Sequence, residues 1–297
     1  MFATRCVGAY QRGCHRGCQN VLYGDQLLFT MSEKVVIIVG AGSKWDKDGN
    51  ETDFPPSVRF GLGGALALRF AAKGYHVVLC GRRMDVLEKV HACVAAAGGK
   101  STPVACDVTS DESVKAAMEK GCAIGAVESV IYNVGQPIPE GFSYMALPKA
   151  AEISPEYFNA GFDRGVTGCV RVAAHTIPAL VEAAKAEGGS ASFLVSGATM
   201  ALRGKANFAC MAPHKAALRM YSQSLFDTYA REGVHVSHVV IDGAFDSPGT
   251  NPFGKHITLM DPDELAGVYV GLHEQPKSVW SFEIQVGPSS GDMGMRL

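Results

Sequence analysis

The stretch Val35-Val36-Ile37-Ile38-Val39-Gly40-Ala41-Gly42-Ser43, resumed later by Gly61-Leu62-Gly63-Gly64-Ala65-Leu66-Ala67-Leu68-Arg69-Phe70, decides how this chain is read. A run of β-branched apolar residues marks a strand buried on both faces. A glycine-rich turn between such a strand and a helix lets backbone N–H groups and the helix N-terminus hold a pyrophosphate. Here the turn and the helix are separated by the polar stretch Lys44 to Phe60, which carries Asp48-Gly49-Asn50 and Pro55-Pro56. Charge and turn formers predict an exposed excursion. Lengthening a loop about fivefold adds only roughly 1.4 kcal/mol of closure entropy, so the cradle survives the insertion. Two readings of the insertion stand: a solvated decoration, or a flap with Lys44 or Arg59 near the cofactor phosphates. Asp46-Lys47-Asp48-Gly49-Asn50 begins like a calcium loop, but Glu51 stands where glycine is needed and Ser57 where an acidic ligand is needed. No metal is expected there.

Outward from this stretch, strand and helix patterns alternate. Strands are predicted at His76 to Cys80, Thr102 to Cys106, Ser129 to Tyr132, Ser192 to Ser196, Val234 to Ile241 and Val279 to Gln285. Helices are predicted at Gly63 to Ala72, Asp85 to Ala97, Asp111 to Lys120, Pro155 to Lys185, Ala209 to Arg231 and Pro262 to His273. With Val35 to Val39 that makes a seven-stranded, doubly wound parallel α/β sheet of Rossmann type, in a single domain over 32–297.

The 297 residues are 47% hydrophobic, enough for one sizeable core and short for two. A net charge of -2 with scattered signs argues against nucleic acid, and no apolar run approaches the roughly 20 residues that span a bilayer. Nine cysteines, mostly in apolar stretches, suit the reduced thiols of an intracellular protein. Cys14-His15-Arg16-Gly17-Cys18 offers at most three metal ligands at unconventional spacing. Residues 1–31 carry Arg5, Arg12 and Arg16 before any acid, the bias of a mitochondrial presequence, yet they are poor in serine and Met31 could itself be a start. A cytoplasmic protein with an upstream extension and a mitochondrial matrix protein are both compatible with this.

Without the insertion, the two glycine-bearing halves join as Gly-Ala-Gly-Ser-Gly-Leu-Gly, which resembles the T-G-x3-G-x-G cofactor loop of the short-chain dehydrogenase/reductase family. Cys106-Asp107-Val108 matches the family's adenine-side aspartate, and Asn133-Val134-Gly135 resembles its N-A-G motif. The resemblance runs from Val35 to about Gln285 and implies cofactor contacts at Gly40, Gly42, Ser43, Gly61, Leu62, Gly63, Asp107, Val108, Asn133 and Gly135. After the second strand of such folds an acidic residue accepts from the ribose hydroxyls of NAD, whereas arginine pairs with the 2′-phosphate of NADP. This chain has Gly81-Arg82-Arg83. Charge-assisted bonds to phosphate are worth roughly 1.5–3 kcal/mol, so NADP(H) is the expected cofactor through Arg82 and Arg83.

The same resemblance implies a tyrosine, a lysine four residues later and a serine at the catalytic centre. The tyrosine-to-lysine segment reads Met211-Ala212-Pro213-His214-Lys215, so the lysine is present and the tyrosine is not. Ala198 occupies the serine position, with Thr199 beside it and Ser196 two residues earlier, and Gly165 occupies the place of the helix asparagine. Methionine cannot donate a proton. Loss of general acid catalysis adds roughly 3–5 kcal/mol to a barrier. Asp242-Gly243-Ala244-Phe245-Asp246-Ser247-Pro248 resembles the P-G-x3-T segment of the nicotinamide side, which places Gly243 and Ser247 there. His214 adjoins Lys215 but points about 100° away on a helix, and Tyr221 lies about 15 Å farther along it, too far to replace the hydroxyl.

Two functions follow. One is an oxidoreductase moving hydride between NADP(H) and a small carbonyl or alcohol, with Lys215 and Thr199 at an atypical centre. The other is an NADP(H)-binding protein of little or no catalytic power. Apolar stripes on the two long helices imply, by the resemblance, a homodimer or homotetramer.

Overall fold

The computed structural model describes residues 18–23, 26–31, 33–42, 50–143, 146–248 and 258–290. Seven parallel strands form one sheet: β3 (Lys34–Val39), β4 (His76–Gly81), β5 (Lys100–Ala105), β6 (Ala126–Tyr132), β7 (Ser192–Ser196), β8 (His235–Ile241) and β9 (Glu283–Val286). Their spatial order is β5-β4-β3-β6-β7-β8-β9, so the direction of winding reverses at β3. The expected seven-stranded doubly wound α/β sheet is therefore what this chain forms. Its crevice lies outside the carboxyl ends of β3 and β6, where ligands of such sheets bind.

Two apolar layers hold the sheet. Helices α4 (Asp111–Ile124), α6 (Gly168–Lys185) and α7 (Ala212–Tyr229) cover one face through residues such as Met118, Leu180 and Leu218. Helices α2 (Gly61–Ala72), α3 (Met84–Ala96) and α8 (Pro262–His273) cover the other through Leu66, Val90 and Tyr269. Both faces are buried, which explains why the central strands read as continuous apolar runs.

Several boundaries differ from the sequence expectations for physical reasons. The helix α7 begins at Ala212, not Ala209, because Pro213 lacks an N–H and fits only a first turn. The predicted helix Pro155 to Lys185 is broken into α5 (Pro155–Phe162), a π-turn at Asp163–Thr167, and α6. β5 starts two residues early and tolerates Pro103 because it is an edge strand. β9 is shorter than the predicted Val279 to Gln285, since Val279 lies in an exposed turn.

Two larger departures concern the additions to the sheet. The extension contains an antiparallel hairpin, β1 (Cys18–Tyr23) with β2 (Gln26–Met31), which composition did not suggest. The insertion is not an exposed excursion throughout: it ends in a helical turn, α1 (Pro56–Arg59), and buries Val58 and Phe60 against the α2 and α8 layer. Apolar residues within a polar segment seek the nearest core, and these two lie directly before α2. The calcium-like stretch up to Gly49, together with Lys44, lies outside the described residues; Asn50 takes a hydrogen bond from Lys89 Nζ at 2.8 Å. Arg59 stacks over the Phe60 ring at 4.6 Å. The Cys14 to Gly17 segment is likewise outside the described residues. Among the described residues no helix is long and apolar enough to cross a membrane, and six cysteines are free thiols.

Candidate functional site

The cradle is built by close backbone approach. Gly40 directly follows β3 with φ +97°, and a Cβ there would stand 2.4 Å from the Asn133 carbonyl oxygen. A Cβ on Gly63 would stand 2.3 Å from the Gly40 carbonyl oxygen, so the first turn of α2 lies directly on the β3 turn. Only glycine fits either contact. Asn133 Nδ2 donates to the Gly40 carbonyl at 3.1 Å and ties the end of β6 to the cradle. Gly61 has φ +59° and starts α2, with Leu62 buried behind it. Ser43 lies outside the described residues.

The cationic side of the cradle is equally local. The Arg83 guanidinium comes within 3.7 Å of where a Gly42 Cβ would stand, so it lies beside the glycine turn. Asp107, at the end of β5, is held below the usual carboxylate range by the Thr109 backbone N–H, with its hydroxyl, Arg82 and Arg164 adding to the effect against desolvation. Val108 is buried and its carbonyl accepts from Arg171 at 2.9 Å. Glycines against a strand turn, a helix N-terminus and two arginines are donors that fit the phosphates of a dinucleotide, and the ordered Asp107 carboxylate is an acceptor beside them.

Across the switch point, Lys215 donates through Nζ to the Ser196 carbonyl at 2.9 Å. Met211 stands at the N-terminal boundary of α7, buried, one turn before Lys215, and its side chain makes no capping hydrogen bond. Thr199, also buried, begins a short 3-10 turn (Thr199–Ala201) that packs against α7, and Ala198 is the extended residue before it. Gly165 sits in the π-turn with nothing within 4 Å of a notional Cβ. The wide turn leaves the Arg164 carbonyl to accept from the Tyr132 hydroxyl, while Arg171 binds Asp163 at 2.8 Å. Gly243 packs under Met260 and Ser247 is fully buried. Gly135 lies exposed on the loop after β6.

The chain belongs to the short chain dehydrogenase family. The family profile matches residues 58–256. An uncharacterised oxidoreductase of Listeria monocytogenes is 25% identical over 275 residues, covering 88% of this chain and 98% of the relative. The fatty acyl-CoA reductase of Acinetobacter baylyi is 24% identical over 254 residues, covering 83% and 75%. A putative short-chain dehydrogenase/reductase from Burkholderia xenovorans superposes with a TM-score of 0.70 at 24% identity, over 85% of this chain and 94% of that one. A metagenomic short-chain oxidoreductase in complex with NADP superposes at 0.67 with 20% identity, over 86% and 97%. As a short-chain dehydrogenase this chain is an NAD(P)-dependent oxidoreductase of CH–OH and C=O groups.

Some site features were not foreseen. His214 is buried in an aromatic box, 5.8 Å from Phe162 and 6.4 Å from Phe158, against Gly161. Burial, with Lys215 adjacent, pushes its pKa down to about 4, so it is neutral at physiological pH. Gln136, after the Asn133 motif, accepts from Arg164 at 3.3 Å beside this box. Tyr221 is half-buried against the core, its pKa raised to about 12 by desolvation. Arg219, His238 and Glu283 form a polar chain under α7 that no spacing pattern signals.

Proposed function

We propose that this short-chain dehydrogenase is an NADP(H)-dependent oxidoreductase acting on a small carbonyl or alcohol, with its proton chemistry organised around Lys215. The observation that carries the cofactor choice is the Arg83 guanidinium beside Gly42, with Arg82 next to Asp107. A 2′-phosphate at the end of β4 meets two cations, and the residues that directly follow β4 are Arg82 and Arg83 in place of an acid. The NADP bound by the metagenomic neighbour agrees with this reading. Bound nicotinamide supplies hydride transfer at C4.

The chain's own residues supply the remainder. Gly40, Gly42, Gly61 and Gly63 would hold the pyrophosphate, and Arg82, Arg83, Asp107 and Val108 the adenosine end. Asn133, Lys215, Gly243 and Ser247 would hold the nicotinamide end. Lys215 orients the nicotinamide ribose and Thr199 orients the substrate oxygen. Met211, Ala198 and Gly165 remove the family's hydroxyl and amide relay, so a proton reaches the substrate through Lys215 and solvent. These three replacements also favour a second reading, an NADP(H)-binding protein with little turnover. Val170 on α6 and Met220 on α7 remain exposed and support a homodimer or homotetramer. The short chain after Ser247 suits a small substrate, and a cytoplasmic location is the simplest.

Fluorescence titration with NADPH and NADH tests the cofactor reading, and NADPH consumption against a carbonyl panel separates the two functions. Equal affinity for NADH removes the NADP(H) assignment. Tight NADPH binding without turnover on any carbonyl selects the second reading.

A further inference from the structure

The α7 face of β8 and β9 carries a continuous polar chain. Arg219 grips Glu283 with two bonds, at 2.6 and 2.9 Å, and Glu283 meets His238 Nδ1 at 2.9 Å. Burial would raise the Glu283 pKa, but hydrogen bonds from Arg219 and His238 outweigh it and the carboxylate stays ionised. A carboxylate only accepts, so Nδ1 bears the proton and Nε2 presents a lone pair. His238 is 0% exposed, and Nε2 has no partner among the described residues. It points at Gly197, where a Cβ would stand 2.2 Å from it. Gly197 follows Ser196, whose carbonyl receives the Lys215 ammonium. Lys215 and His238 thus meet the same Ser196–Gly197 peptide.

We propose that His238, held by Glu283 and Arg219, is a positioning residue for Lys215. Its neutral ring fills the space under the Ser196–Gly197 peptide and keeps that peptide, and the ammonium bound to it, in place. Protonating Nε2 sets an imidazolium against a peptide that already carries one cation. The charged groups facing His238 are Glu283 from β9 and Lys215 and Arg219 from α7. Two of the three repel the protonated ring, and burial opposes it further, against the one attraction of Glu283. Ring neutrality at His238 is therefore a condition for correct placement of Lys215. This inference rests on the proposed cofactor role of Lys215.

The test measures NADP+ affinity between pH 3.5 and 8, with folding checked by circular dichroism at each pH, in wild type, His238→Asn, His238→Gln and Glu283→Gln. NADP+ is the probe because it withstands acid, and titration of its 2′-phosphate is common to all four proteins. Burial pushes the His238 pKa down to about 4, so wild type is expected to lose affinity about fourfold at pH 3.5 beyond the loss shared by the variants. His238→Asn keeps a donor for Glu283 but empties the space at Gly197, and is expected to bind about tenfold more weakly at pH 7.5. His238→Gln reaches that space and restores affinity to within about threefold, without the extra acid loss. Glu283→Gln removes the attraction for a protonated ring and moves the acid loss to lower pH. A second readout needs no cofactor: the Lys215 13Cε resonance shifts in His238→Asn and returns in His238→Gln. Identical pH profiles in all four proteins, or an unmoved Lys215 resonance in His238→Asn, overturn the proposal. Absence of NADP+ binding in wild type at every pH overturns the cofactor reading instead, and the lysine resonance still decides the positioning role.

Discussion

Lys215 is bonded to the Ser196 carbonyl at 2.9 Å, while the residue one turn earlier on the same helix, Met211, presents a thioether where the family places a phenol. The lysine keeps its station without its usual neighbour. On the proposed reading the centre lacks the family's phenolic proton donor, and that deficit can be measured by supplying one.

Met211→Tyr combined with Ala198→Ser is expected to raise kcat/KM for an accepted carbonyl at least about tenfold, since general acid catalysis contributes typically 10² to 10⁴. NADPH affinity should stay within about threefold. The rate of NADPH absorbance loss reads the outcome, and an unchanged rate shows that the proton already has an efficient route.

Arg82→Ala and Arg83→Ala should each weaken NADPH binding by about 10- to 100-fold, the equivalent of roughly 1.5–3 kcal/mol for a charge-assisted phosphate bond. NADH affinity should be unaffected. Equal losses for the two cofactors would mean that these arginines shape the loop and do not read the 2′-phosphate.

Gly40→Ala forces a Cβ to 2.4 Å from the Asn133 carbonyl oxygen at a φ of +97°. Backbone strain of that kind costs about 1–3 kcal/mol, and Tm in a chain of this size falls by about 2–4 °C for each kcal/mol. Thermal unfolding should show that loss together with weakened NADPH binding. A mutant with unchanged Tm would show that β3 and β6 can separate without cost.

Acid should destabilise the fold before the carboxylates titrate. Burial is the main cause that pushes His214, His238 and His273 down to about 4. The unfolded chain, with histidines near 6.5, binds more protons than the folded one between those values. The stability linked to these rings is complete above about pH 6.5 and is lost as pH falls toward about 4. Each ring contributes on the order of 1–3 kcal/mol. Urea midpoints at pH 7.5, 6 and 5 should decline, and His214→Leu, which suits its aromatic box, should flatten the decline. A flat wild-type profile would mean that water reaches these rings.

Much of the fold was legible because its signals are local. Val35 to Val39 is apolar at every position, and β3 proved buried on both faces. Pro262 to His273 carries Asp261 as a cap before a proline, and α8 has these ends. The π-turn was not legible, because Asp163 to Thr167 continues a helical pattern and the Tyr132 hydroxyl that takes the freed Arg164 carbonyl is 32 residues away. The burial of Val58 and Phe60 was hidden by the polar residues around them. Pro213 did signal the later start of α7, through its missing N–H.

By itself, the sequence determined the parallel α/β architecture, the place of the glycine-rich turn between β3 and α2 and the arginines after the second strand of the sheet. Those depend on periodicity, turn chemistry and residues adjacent in the chain. Tertiary structure alone decided that the insertion returns to the core, that His214 lies in an aromatic box, and that His238, Glu283 and Arg219 stand beneath Lys215. His238 and Glu283 are 45 residues apart, and they meet because β8 and β9 are neighbours in the sheet. The pairing of strands sets such contacts, and no spacing along the chain encodes it.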